Sequence, residues 1–354
     1  MELGGHFSKE IDLVASTIVK NLRIKRGDCV SIHCGQYAID LAEAIALRSA
    51  IRGGIPTISA MSDKYLALFY KLVPLKYIRQ TPRHIIELVR NSDVYIFIEG
   101  PEDPRIEQSF SRDKVKALIE AFRLVEASIN KRWCYVAWFS KKASKFYKLS
   151  FQQFKEHIIN GILINYNELA RRKNRVLKYL NCINSVHITD EFGTNLKLKI
   201  KDYIIVTCDG VVPKEKQKAG INMPSGEVAI IPLNFHADGN FFCPITRDYM
   251  SGNFIKDMTL KFEHEILKIN KCKIGENGQL FIDTIKKFVE MDSKYYQNTN
   301  TLTIAEIGIG LNPNINKVIG YTWSTRNAPE LFTWQWEITR ISAEREHHTY
   351  IGTS

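Results

Sequence analysis

GDCVSIHCGQYAIDLAEAIALRSAIRGGIPTISAM, residues 27–61, is the stretch that decides the fold. Lys25-Arg26-Gly27-Asp28 is a turn signal, and Cys29–Cys34 after it is a short apolar strand. Asp40–Ile51 is rich in Ala, Leu and Ile and reads as a helix, which Gly53-Gly54 ends in the manner of a glycine C-cap. Pro56–Met61 reads as a second strand. A strand, a helix and a strand in so short a span imply a crossover between parallel strands, because a tight hairpin cannot join them.

The same grammar extends outward. Ile11–Leu22 has helical apolar spacing, Val94–Ile98 (VYIFI) is a buried-type strand, Arg112–Ala127 is helical and Tyr135–Phe139 is strand-like. The expected fold class is α/β, with an N-terminal doubly wound parallel sheet covered by helices on both faces. A charged helical stretch follows over Phe151–Leu180, carrying Arg171, Arg172, Lys173 and Arg175. The pattern then changes. Ser185–Thr189 and Leu196–Ile200 flank Asp190-Glu191-Phe192-Gly193-Thr194 as a hairpin would. Tyr203–Thr207, Glu227–Ile231 and Thr301–Ala305 are strand-like, and Leu280–Met291 is a helix. A β-rich α+β domain is therefore expected after the first, with residues 1–183 in the N-terminal domain and 184–320 in the second.

Composition removes several function classes. The chain has 354 residues, 49 Lys plus Arg against 38 Asp plus Glu, and a net charge of +11. No run approaches the ~18 apolar residues of a membrane span, and residues 1–10 lack the apolar core of a secretory signal. The seven cysteines are scattered singly with no CxxC pair, which suits a reducing, cytoplasmic setting. Lys141, Lys142, Lys145 and Lys148 interleave with Trp138, Phe146 and Tyr147, but no nucleic-acid-binding motif accompanies them. The basic balance is read as a solvated surface, with neither nucleic acid nor membrane as partner.

Two segments carry chemistry. In Met223-Pro224-Ser225-Gly226-Glu227-Val228 a turn delivers a carboxylate to the mouth of an apolar strand. By its residues alone, a glutamate there is a solvated one. In Thr303-Ile304-Ala305-Glu306-Ile307-Gly308-Ile309-Gly310-Leu311-Asn312-Pro313 a glutamate sits inside an apolar run. A carboxylate buried without a partner is costly, so Glu306 is expected to be paired, protonated or metal-bound. The nearby glycines allow close approach of backbone or ligand, but their spacing is not a dinucleotide fingerprint. The histidines are isolated apart from His347-His348, and without an i,i+3 or i,i+4 pair on a helix the sequence shows no complete metal site.

From about Leu22 to Gly320 these segments resemble the aminopeptidase T/aminopeptidase S family of metal-dependent aminopeptidases, the thermophilic metalloproteases. The resemblance includes RGDCVSI, DLAEAIALRSAIRGGIP, NSDVYIFIEGPED, the KRW at Lys131-Arg132-Trp133 and VHITDEFGTNL. NMPSGEV and AEIGIGLNP are its most specific pieces. It implies Glu227 and Glu306 as metal ligands, with Glu306 at the catalytic centre beside both ions. It implies two divalent ions per complete site (Zn, Co or Mn), a peptide substrate with a free N-terminal amine, and a homodimer. A related ring-cleaving dioxygenase of pyridine catabolism, with a single non-haem iron, is the runner-up; a non-catalytic dimeric relative is the third reading. The presence of both glutamates favours the two-metal peptidase.

The resemblance stops near Gly320. The family continues with an Asp-Glu-Lys segment, a Gly-Thr-x-His segment and a final His-x-Asp, none of which follows here; residues 321–354 form an aberrant tail. Joining the last base of each codon to the first two of the next permits His-Met-Ala-Met-Gly-Asn over Phe332–Ile338. In that frame Trp334/Gln335 forces Ala and Trp336/Glu337 forces Gly. The same frame permits Asp-Glu-Lys over Ser324–Asn327, Gly-Thr-Ile over Pro329–Phe332 and Ile-His-Trp-Asp over Thr349–Thr353. A one-base shift from about residue 321–324 onward is therefore expected, leaving Trp334 and Trp336 as wrong-frame images of a ligand strand and the chain as written with little peptidase activity. The alternative is a divergent tail in which Glu337, Glu344, His347 or His348 supplies new ligands.

Overall fold

The computed structural model describes residues 6–180, 183–214, 218–248, 251–295, 300–304, 306–315, 335–336 and 341–344. In chain order the strands are β1 (Cys29–Gly35), β2 (Ile55–Met61), β3 (Val94–Ile98), β4 (Arg132–Val136), β5 (Ser185–Thr189), β6 (Asn195–Cys208), β7 (Ala219–Met223), β8 (Glu227–Arg247), β9 (Phe254–Glu263), β10 (Ile266–Leu267), β11 (Ile307–Gly310), β12 (Gln335–Trp336) and β13 (Ile341–Glu344). The chain divides into two compact units. The first holds Met1–Tyr166, Cys208–Ser225 and Asn312–Ile315; the second holds Asn167–Thr207, Gly226–Leu311 and Asn316–Ser354. The boundary read from the sequence falls at the start of β5, whereas the units change over five times along the chain.

The first unit is built on a five-stranded sheet in the order β2-β1-β3-β4-β7, with every neighbouring pair parallel. The chain winds from β1 outward to β2, then returns past β1 to β3, so the strand order reverses at β1 as in doubly wound sheets. Val30, Ile32, Val94, Ile96, Ile98 and Val136 are buried along its strands. Burial of each such aliphatic side chain contributes about 1.5–3 kcal/mol. The helix Lys9–Asn21 starts where Ser8 accepts a hydrogen bond from the Ile11 amide, and it buries Val14, Ala15, Ile18 and Val19.

Two long-range pairs frame the start of this sheet. Arg132 opens β4 and meets the buried carboxylate of Asp28 at 2.8 Å, while its other nitrogen donates to the carbonyls of Leu22 and Arg23. Lys131 reaches Asp93 at 2.7 Å, and Asp93 also accepts from the Cys29 amide. The RGD turn, the NSD turn and the KRW segment are thus one electrostatic lattice.

The second unit is an eight-stranded, mostly antiparallel sheet whose path runs β10-β9-β8-β6-β5-β13. β5 and β6 form the expected hairpin, with Asp190 accepting hydrogen bonds from the amides of Phe192 and Thr194 across the turn. β8 is its spine. Its first four residues pair antiparallel with β11, and residues 239–247 pair antiparallel with β9. β12 runs parallel to Gly308–Ile309, and β13 runs antiparallel to β5. An edge strand offers backbone partners whatever the side chains, so a segment without strand periodicity can pair there. The rest of residues 316–354, with its candidate ligands His347 and His348, lies outside the described residues.

Several elements depart from the sequence reading. The strand expected at Tyr135–Phe139 is shifted to Arg132–Val136, because ladder pairing and the Asp28 ion pair capture the charged start. Phe151–Leu180 is two helices, Phe151–Ile162 and Tyr166–Leu180, and the Tyr166 hydroxyl donates to the Ile162 carbonyl at 2.6 Å where the first one stops. The strand expected at Thr301–Ala305 begins instead at Ile307. Residues Asn300–Leu302 form a 3-10 turn, in which Asp292 accepts from both the amide and the hydroxyl of Thr301.

Candidate functional site

Glu227 is the first residue of β8 and pairs with Gly310 of β11. Two residues earlier, the Ser225 carbonyl accepts a hydrogen bond from the Asn312 side chain at 2.7 Å, and the same amide group donates to the Gly161 carbonyl at 2.9 Å. The Leu311 amide extends the ladder by donating to the Gly226 carbonyl. NMPSGEV and AEIGIGLNP, far apart in sequence, are thus fixed side by side.

The register defines what surrounds Glu227. Ile307 pairs with Ile230, Gly308 with Ala229, Ile309 with Val228 and Gly310 with Glu227. Strand alternation puts Ile307, Ile309, Val228 and Ile230 on one face, and these four are buried. The other face carries Glu227, Ala229, Gly308 and Gly310, and Glu306 stands one residue before β11 with the same parity. Ala229, Gly308 and Gly310 are the neighbours of Glu227 on this face, and Ala229 and Gly308 are themselves buried. Glycines in a strand let another group approach the backbone closely.

Glu227 is not the solvated carboxylate that its position at a strand start suggests. Its Oε1 is buried and has no hydrogen-bond partner. Burial, and after it the charge of Glu306, pushes its carboxyl up to about 7. Glu306 is raised as well, by burial. Two half-buried carboxylates that sense each other's charge, one with an orphaned oxygen, fit the carboxylate part of a divalent-cation site: a bound cation would satisfy the oxygen and cancel the repulsion. Among the described residues, no further histidine, cysteine or acid joins these two in a metal-sized cluster.

The structure does gather such a cluster elsewhere. His236, Asp238 and His264 each offer a ligand atom, all within 4.8 Å of one another. These histidines are not isolated, because the sheet and not helical spacing brings them together. His236 and Asp238 are i,i+2 on β8, and His264 arrives from the end of β9 through the sheet pairing. A His-x-Asp, sought in the tail, stands at 236–238. The aromatic residues near the lysine run are largely internal: Trp138 and Tyr147 are buried, while Lys142 pairs with Glu102 at 2.9 Å. The described cysteines are unbridged, and no described helix is long and apolar enough to cross a membrane.

A sequence model of the family described as thermophilic metalloprotease (M29) matches residues 7–292. The chain belongs to that family of metal-dependent proteases, and the match takes in Glu227 but ends before Glu306. Among solved structures it is similar to wild-type AmpT from Thermus thermophilus, with TM-score 0.66 and 13% identity over 86% of this chain and 78% of that one. It is also similar to 2,5-dihydroxypyridine dioxygenase from Pseudomonas putida KT2440, with TM-score 0.54 and 13% identity over 89% and 78% of the two chains. At that identity both likenesses concern the fold alone. No curated protein sequence matches the chain.

Proposed function

We propose that this protein is built as a metal-dependent aminopeptidase in which Glu227 and Glu306 are metal ligands. The observation that carries the reading is the buried, unpartnered Oε1 of Glu227, on which the charge of Glu306 acts. Divalent ions bound there (Zn, Co or Mn, two per complete site) supply a water of lowered pKa and polarise the scissile carbonyl. Glu227 holds its end of the site through the ladder that fixes β8 to β11. Glu306, as a carboxylate beside the ions, would take the proton of the attacking water and return it to the leaving amine. The glycine face admits the extended N-terminal end of a peptide close to the backbone.

The remaining ligands of the family pattern belong to the tail. The chain as written is proposed to end in a shifted reading frame, and therefore to hold metal weakly and to hydrolyse peptides slowly. A cytoplasmic homodimer, binding neither nucleic acid nor membrane, completes the reading.

The test compares the chain as written with one whose frame is restored across codons 318–354, both supplied with Co2+ or Zn2+. The restored protein is expected to release p-nitroaniline from Leu-p-nitroanilide at least ~100-fold faster, and Glu227→Gln or Glu306→Gln should each remove most of that rate. The fold likeness to a dioxygenase gives the second reading its footing. One iron per chain with ring cleavage, and no peptide hydrolysis by the restored protein, would favour it. A folded dimer with neither metal nor activity would leave a scaffold.

A further inference from the structure

β9 and β10 are joined by two residues, His264 and Glu265, and Glu263 pairs with Ile266 across them. Both turn residues have positive φ, 49° and 73°. Two-residue hairpins favour that backbone, but Asn and Gly adopt it at least cost, and each other side chain adds roughly 1 kcal/mol. Backbone strain of this kind points to a role for the side chains themselves.

Those side chains converge on β8. The His264 amide donates to Asp238 Oδ1 at 3.0 Å, and the Glu265 amide donates to the Ala237 carbonyl at 3.0 Å. The two imidazole rings lie 5.6 Å apart. His236 Nε2 is 2.5 Å from Asp238 Oδ2, and its Nδ1 is 3.7 Å from Glu265 Oε1. His236, Asp238 and Glu265 are each more than two-fifths exposed, so an ion can enter from solvent. Two imidazoles and one carboxylate form a donor set that suits zinc and its first-row neighbours, not calcium or magnesium, and Glu265 lies on the other nitrogen of His236. Tetrahedral donors around zinc stand about 3.4 Å apart, which small side-chain rotations can reach from the 4.8 Å limit observed here.

We propose that His236, Asp238 and His264, with solvent completing the shell, bind a divalent transition-metal ion that clamps the β9–β10 turn onto β8. His236 lies nine residues beyond Glu227, roughly 30 Å along an extended strand, and on the opposite parity. This site is therefore separate from the pair of glutamates and does not rest on the peptidase reading.

The experiment uses the full chain carrying Glu227→Gln and Glu306→Gln, so that the glutamate pair contributes nothing. After incubation with zinc and dialysis, this parent is expected to retain one equivalent, to develop a visible Co2+ spectrum in the cobalt form, and to melt several degrees higher with zinc than with EDTA. Adding His264→Asn should weaken zinc binding at least about tenfold and abolish the zinc-dependent rise in Tm, since Asn keeps the positive φ of the turn while removing the imidazole. His236→Gln, at a strand position that does not need that backbone, should do the same. A parent that retains no zinc, or variants that melt like the parent in EDTA and bind zinc as it does, would overturn the proposal.

Discussion

Glu306 stands one residue ahead of β11, and its charge adds to burial in pushing Glu227, which opens β8 opposite Gly310, up to about 7. The two acids therefore oppose each other when both are ionised.

Stability of the metal-free chain follows from that opposition. The folded-state value of Glu227, about 7, lies above the ordinary 4.5. The folded chain thus holds a proton that the unfolded chain has released, and the stabilisation present below pH 4.5 is lost as pH rises toward 7. Glu227→Gln should be more stable than the parent at pH 8 by roughly 1–3 kcal/mol and no more stable at pH 4. Urea denaturation in EDTA at the two pH values checks this; an equal difference at both would refute it.

Gly310→Val tests the surroundings of Glu227. Gly310 is exposed and pairs directly with Glu227. A branched side chain there suits a strand but stands beside the carboxylate. The expected result is a loss of metal affinity of at least about tenfold at the Glu227 site, with Tm changed by only a few degrees. Isothermal titration with Zn2+ on a His264→Asn background separates this site from the second one.

Gly239→Ala and Gly193→Ala form a matched pair. Both glycines have positive φ, +131° and +109°. A Cβ on Gly239 would lie 2.0 Å from the Asn195 carbonyl oxygen, whereas one on Gly193 meets nothing within 4 Å. Gly193→Ala should cost about 1 kcal/mol through backbone strain alone, and Gly239→Ala more than ~3 kcal/mol because the β6–β8 contact must open. Denaturant midpoints give both numbers.

Arg132→Met and Lys131→Met separate a buried ion pair from an exposed one. The side chains of Arg132 and Asp28 are 15% and 5% exposed, those of Lys131 and Asp93 42% and 31%. Removing Arg132 leaves Asp28 buried without its cation and should cost about 3–5 kcal/mol. Removing Lys131 should cost under ~1 kcal/mol. Equal losses would mean that burial does not govern these pairs.

Much of the first unit was legible because its signals are local. VYIFI is β3 and Arg112–Ala127 is a helix, both as the residues suggest, since periodicity and capping act within a few residues. β8 was legible only over its first five residues. Beyond Ile231 the strand contains Pro232, Asn234, His236, Asp238 and Gly239, a polar pattern held extended by pairing with β9 and β6. The mixed ends of the site illustrate the same limit. Glu306 stood out because its neighbours in sequence are apolar, whereas the burial of Glu227 depends on β11, about eighty residues away.

The sequence by itself determined the alternation that makes a parallel sheet, and it singled out both glutamates. Tertiary structure alone decided that β7 returns to the first sheet after an excursion through β5 and β6, and that Glu227 shares its face of the ladder with Ala229, Gly308 and Gly310 and feels the charge of Glu306. It alone brought His264 to His236. The physical reason is register. A strand's own residues fix its two faces, but the partner it meets and the residue it meets there are set by pairing between distant segments, where a shift of one residue exchanges every side chain between faces.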